Sequence, residues 1–180
     1  YEVSRREARQ RPQRYWGGVN AEKSGDKVKS PDGMHEAGIV EGNVWVTELK
    51  SGKKKQLSFD GSPGEYYSSD IVWSPDSKKL ISCKFRPAQL RKLLIIDSSP
   101  DDQLQPKTQE YDYPKPGDAL PVRRPVAFDI ETGRTIAFDV PDVEIQYDLN
   151  RIQWEKNNRE FTFHFNKRGH QQYFIYAADT

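Results

Sequence analysis

The side chains able to do chemistry are few and scattered. Glu65, followed by Tyr66 and Tyr67, sets a carboxylate beside two phenols, and a carboxylate can ion-pair with an ammonium ion. The same Glu65 reads as an exposed loop carboxylate between Gly64 and Tyr66, and tyrosines in a strand commonly pack. His164 and His170 stand six apart across Asn166-Lys167-Arg168-Gly169, a hairpin turn. Metal binding there would require a third ligand and supporting hydrogen bonds, and no metal site is expected. His35, beside Glu36, reads as an ordinary strand residue. Residues 18–24, "GVNAEKS", superficially match a phosphate loop. Glu22, however, puts a carboxylate where that motif needs Gly, and no apolar strand precedes it. No Gly-x-Ser-x-Gly occurs anywhere, so the chain carries no nucleophile elbow. Lys50, Lys53, Lys54 and Lys55 form a basic knot on a hairpin tip; nucleic-acid recognition would want a broader stripe with stacking aromatics. No cofactor is expected.

The elements that must position these residues are strands. Among 180 residues, 34% are hydrophobic, 31% charged and 12% aromatic, with a net charge of +1. Aromatic enrichment favours strands, and the near-zero charge gives no electrostatic case for nucleic acid or an anionic membrane. The longest apolar run, Leu93 to Ile96, is too short to span a bilayer. Lone Cys83 excludes an internal disulfide; in an apparent strand it is expected to be buried and inert. The first residue is Tyr rather than Met, so the chain is expected to be a piece of a longer one.

From Val28 onward, short strands alternate with turn signals. "NVWVTELKSGKKKQLSF" (43–59) alternates apolar and polar residues and turns at Lys50-Ser51-Gly52. "VAFDIETGRTIAFDV" (126–140) does the same at Glu131-Thr132-Gly133. Ser-Pro-Asp corners supply the rest of the repeat, at Ser30-Pro31-Asp32 and Ser74-Pro75-Asp76. Proline cannot donate to a ladder and Asp bonds nearby amides, so these residues belong between strands; the spacing places them at the turn from second to third strand. A degenerate third copy, "IQWEKNNREFTFHF" (152–165), keeps the Trp and replaces the corner with Glu-Lys-Asn-Asn. Pro31 and Pro75 lie 44 residues apart, within the range of propeller blades. The expected fold is all-β: a partial β-propeller of about three four-stranded antiparallel blades at 28–180, cut from a longer chain. Residues 1–27, with Arg5, Arg6, Arg9, Arg11 and Arg14 clustered before Tyr15-Trp16, are expected to enter from a preceding blade. Residues 87–121 form a Pro-rich arm inserted in the middle blade, and a long ordered insertion is usually functional.

Three stretches carry a resemblance: "KVKSPDG…NVWVTELKSGKKKQLSFDG" (27–61), "YYSSDIVWSPDSKKLISCKFRP" (66–87), and "QLQPKTQEYDYPKPGD" leading into "PVAFDIETG". The sequence resembles the N-terminal β-propeller of the dipeptidyl peptidase IV branch of the prolyl oligopeptidase family of serine peptidases. The match is good over 27–180 and loose over 1–26. The resemblance implies a propeller capping a separate C-terminal α/β-hydrolase domain, absent from this chain, that bears the Ser-Asp-His triad. It also implies a role in admitting and orienting peptide substrates, and a periplasmic or extracellular location. The family binds the substrate's free amine with an acidic pair just before this blade. Here that pair falls on Ser62-Pro63, neither acidic, with Glu65 two residues away as a partial substitute. Dipeptide release is therefore not implied over the activity of a related exo- or oligopeptidase.

The resemblance further implies that the arm contacts a second subunit or the hydrolase domain. Tyr111, Tyr113, Pro114, Lys115 and Pro116 are its docking candidates, since five prolines stiffen residues 97–121 and the tyrosines offer rigid apolar surface. Homo-oligomerisation through the arm, or through the apolar faces of the end blades, is expected. Two rival readings remain: a stand-alone TolB-like propeller serving as a protein scaffold, and a sugar-binding propeller. Trp16, Trp45, Trp73 and Trp154 could stack on sugars, although three of them fall at inward strand positions.

Overall fold

The computed structural model describes residues 27–88, 91–113 and 115–180. The expectations for the N-terminal segment up to residue 26, including its arginine cluster, Trp16 and the 18–24 stretch, lie outside the described residues, as does Pro114. The first sheet runs in chain order: β1 (Val28–Lys29), β2 (His35–Val40), β3 (Asn43–Glu48) and β4 (Lys54–Gln56). In the middle sheet β5 (Tyr66–Tyr67) and β6 (Val72–Trp73) both pair with β7 (Lys79–Arg86). The arm follows as a separate hairpin of β8 (Lys92–Asp97) and β9 (Lys107–Asp112). The chain then returns to lay β10 (Val122–Asp129) on β7 and β11 (Thr135–Ala137) on β10. After a single 3-10 turn, Val143–Ile145, the third sheet comprises β12 (Gln146–Trp154), β13 (Glu160–Lys167) and β14 (Tyr173–Asp179). Every pairing is antiparallel. The described chain is thus the partial propeller that its repeats predict.

The middle sheet is buried on both faces, and the residue pattern shows why. Successive strand side chains point to opposite faces. Leu80 therefore joins Val126 and Phe128 against Ala37, Val44, Val46 and Leu57 from the first sheet. Ile81 and Cys83 join Ala127 against Leu149, Phe161, Phe163 and Phe165 of the third. A strand with neighbours on both sides needs no polar alternation, which accounts for consecutive Leu80-Ile81. Cys83 is a buried free thiol, as expected.

The two Ser-Pro-Asp corners share one set of hydrogen bonds. Ser74 Oγ donates to Asp76 Oδ1 (2.7 Å) and accepts from the amide of Lys79 (2.9 Å), while Asp76 Oδ1 takes the amide of Lys78 (3.1 Å). Ser30, Asp32, Met34 and His35 repeat the arrangement. In the third sheet Asn157 Oδ1 does the work of the Asp, accepting the amides of Arg159 and Glu160. In the first and third sheets the corner joins the first strand to the second, and in the middle sheet it joins β6, which lines the same edge of β7 as β5, to β7; each lies one strand earlier than the sequence suggests. The strand ahead of it, β1 or β6, is two residues long and leaves no periodic trace.

The corners also fasten neighbouring sheets. Trp73 Nε1 donates to Val28 O at 3.0 Å and Trp154 Nε1 to Val72 O at 3.1 Å. Beside each bond, a left-handed corner residue accepts an amide of the preceding sheet: Ser77 Oγ from Asp32 (3.0 Å), Asn158 Oδ1 from Asp76 (3.1 Å). Lys55, from the basic knot, ties the next hairpin by donating to Ile130 O (2.7 Å) and Glu131 O (2.9 Å).

Candidate functional site

Glu65 lies on the crossing from β4 to β5, and the first sheet sets that crossing in place. The turn between β2 and β3 uses two left-handed residues, Glu41 and Gly42 (φ 49° and 75°). Gly42 O accepts the Tyr67 amide at 3.0 Å. Asn43 Oδ1 accepts from the Gly61 amide (2.9 Å) and from Ser58 Oγ (3.1 Å). Ser62 and Glu65 then exchange backbone hydrogen bonds of 2.7 and 3.1 Å, closing a tight loop that presents the Glu65 carboxylate.

Around Glu65 runs a ladder of alternating charge, its cations on β7 and β10 of the middle sheet and its acids on the crossings before and after that sheet. Lys84 on β7 stands opposite both Tyr67 and Arg124, so the three side chains share a face. Lys84 Nζ is 2.6 Å from Asp60 and 3.4 Å from Glu65. Arg124 is 3.5 Å from Glu65 and 2.7 Å from Glu144, which also holds Arg86. Burial raises the Asp60 carboxyl, but hydrogen bonds from Lys84 and Tyr67 outweigh it and leave the group below its ordinary value. Burial likewise opposes the Lys84 charge, and Asp60 with Glu65 more than restores it. Arg86, then Arg124, holds Glu144 below the usual carboxylate range. The Tyr67 phenol is pushed up by burial and then by the Asp60 charge, so it stays a neutral donor to Asp60 at 3.0 Å.

The remaining predicted residues fall in several places. Tyr67 is buried and packs edge-on against Phe128; Tyr66 is half-buried and packs edge-on against Phe85, whose ring also meets Arg123. His164 and His170 flank the β13–β14 turn and bond Tyr173 and Asn166. No group of three potential metal ligands occurs among the described residues. On the arm, Tyr111 is half-buried while Tyr113, Lys115 and Pro116 are exposed. The arm's apolar strand is open to solvent, with Leu94 55% and Ile96 62% exposed. Of the four Trp, Trp73 and Trp154 are buried and bonded between sheets, and Trp45 is half-buried. Sequence reasoning missed the cations and carboxylates around Glu65. The signal was there in Lys84, Arg86, Arg123 and Arg124, four charges placed in otherwise apolar strands.

Three antiparallel sheets stacked face to face, with a charged loop at one end and a hairpin inserted in the middle sheet, define a segment of a β-propeller. The chain belongs to the family described as the dipeptidyl peptidase IV (DPP IV) N-terminal region, which it matches over residues 1–180. Among solved structures it is similar to Porphyromonas gingivalis dipeptidyl peptidase 4, with a TM-score of 0.65 at 18% identity over 89% of this chain and 24% of that one. A putative dipeptidyl aminopeptidase IV from Bacteroides ovatus gives 0.63 at 13% identity, over 87% and 22%. The tricorn protease gives 0.51 at 8% identity, over 90% and 14%. At these identities the likeness is one of fold, and the chain spans a quarter or less of each structure. No curated protein matches it.

Proposed function

We propose that this chain is the non-catalytic propeller portion of a secreted or periplasmic serine exopeptidase, admitting and orienting peptides for a hydrolase domain that bears the triad. Membership of the DPP IV N-terminal family supports the reading most directly. Glu65 is the group that would take the peptide's free amine. Its side chain is 35% exposed, and its two cation contacts, 3.4 and 3.5 Å, are looser than those of Asp60 and Glu144 to the same cations. The carboxylate therefore keeps hydrogen-bonding capacity for an incoming ammonium, as an ionised acid accepts several bonds. Beside it, Tyr67 holds Asp60 through its hydroxyl and Tyr66 packs on Phe85. The test pairs a free-amino Ala-Pro peptide with its N-acetyl counterpart. The chain is expected to bind the first more tightly by about threefold to tenfold, read by chemical-shift titration, and to hydrolyse neither. Serine-reagent-sensitive turnover by this chain would refute the non-catalytic reading, and equal affinity for the two peptides would refute the role of Glu65.

The arm is the proposed docking element, and its partner a second copy of this chain. A lone two-stranded hairpin is marginal in water, and β8 offers Leu93 to Ile96 along an edge with little cover. Sedimentation velocity at rising concentration should show dimers that Leu94→Lys abolishes. A wild-type monomer throughout the range removes the proposal.

A further inference from the structure

The ladder around Glu65 contains two carboxylates that need never touch a peptide. We infer that Glu144 and Asp60 are positioning residues that hold Arg124 and Lys84 away from Glu65 and so leave it free for an amine; the inference rests on Glu65 as the amine-binding group. The distances carry it. Each cation reaches two carboxylates, and in each case the contact to the flanking acid is shorter: 2.6 against 3.4 Å for Lys84, 2.7 against 3.5 Å for Arg124. The two flanking acids come from different crossings, Asp60 from that between the first and middle sheets and Glu144 from the 3-10 turn between the middle and third. Asp60 is further fixed by the Tyr67 hydroxyl. Glu144 is shared with Arg86, the last residue of β7 before the arm, so it bridges that cation and Arg124 and is itself held on both sides.

Removing Glu144 leaves Arg124 with one carboxylate among those it contacts in the described residues, and that one is Glu65. An arginine drawn onto Glu65 occupies the place of the ammonium and repels it. Glu144→Gln should therefore weaken binding of the free-amino Ala-Pro peptide about fivefold and leave the N-acetyl peptide unchanged. Glu144→Asp should restore much of the loss. Arg124→Gln should act with the opposite sign, tightening the free-amino peptide about threefold, and should rescue affinity when combined with Glu144→Gln. These titrations use the full chain, with the two peptides as probes. If the wild-type chain does not distinguish the peptides, the assignment of Glu65 fails and this inference falls with it. If it does distinguish them and Glu144→Gln binds the free-amino peptide as the wild type does, or weakens both peptides alike, the inference alone is overturned. Should Glu144→Gln fail to fold, Arg124→Gln decides: tighter amine binding supports the inference, and unchanged or weaker binding overturns it.

Discussion

Phe161→Ala is expected to destabilise the chain by about 3–5 kcal/mol, the usual cost of emptying a ring from a packed core. Phe161 is completely buried on β13, where it faces the middle sheet. Its ring lies 5.0 Å from that of Phe138, 5.7 Å from Trp154 and 6.0 Å from Phe163, so truncation opens a cavity with aromatic walls on three sides. Domains of this size hold only about 5–15 kcal/mol in total, and the variant should therefore be close to unfolding at ambient temperature. Urea denaturation followed by tryptophan fluorescence measures the change. Phe174→Ala on β14, where the side chain is 37% exposed, is the internal comparison and should cost much less. Equal effects at the two positions would mean that the middle and third sheets are not packed as described.

Gly61→Ala tests the seat of the Glu65 loop. A Cβ added at Gly61 would lie 2.3 Å from Gly42 O and 2.6 Å from Gly42 C. Both are backbone atoms of a tight turn whose carbonyl already accepts the Tyr67 amide, so no rotamer change relieves the overlap. Overpacking of this kind costs about 1–3 kcal/mol. The crossing must also lift off the first sheet, taking Glu65 with it. The expected result is a lower urea midpoint together with large amide shifts at Tyr67 and loss of the preference for a free-amino peptide. At Gly64, three residues on, an added Cβ meets nothing within 4 Å, and Gly64→Ala should leave both readouts nearly unchanged. A Gly61→Ala chain as stable as wild type contradicts the described contact.

Much of this architecture was legible in the residues. Prolines 31 and 75 marked corners because proline cannot join a ladder, and turn chemistry at Gly52 and Gly133 marked two hairpins. The third corner was recognisable without Ser-Pro-Asp because the Trp and a polar turn remained, and there Asn157 alone accepts the two amides that Asp76 and Ser74 divide at the second corner. Two things escaped. Strand β9, "KTQEYD", carries a single aromatic among polar residues because it lies in the exposed arm, so no periodicity announced it. The ladder at Glu65 escaped because its members are far apart along the chain; Arg124 and Glu65 are brought within 3.5 Å by β7, which pairs with β5 on one side and β10 on the other. Glu65 itself was visible as a carboxylate in a loop, whereas the cations beside it are brought there by the pairing of three strands of the middle sheet, β5, β7 and β10.

The tryptophan and corner bonds between sheets all point one way along the polypeptide. Each later sheet supplies the indole donor and the left-handed acceptor, and the earlier sheet offers only backbone atoms. A ribosome releasing this chain therefore delivers each of these tryptophan and corner fasteners after the surface that receives it, whereas the Lys55 bonds wait for the later hairpin. The first sheet has Lys29 and Gly33 where the others have tryptophan and a polar acceptor, and so it offers no such hook of its own.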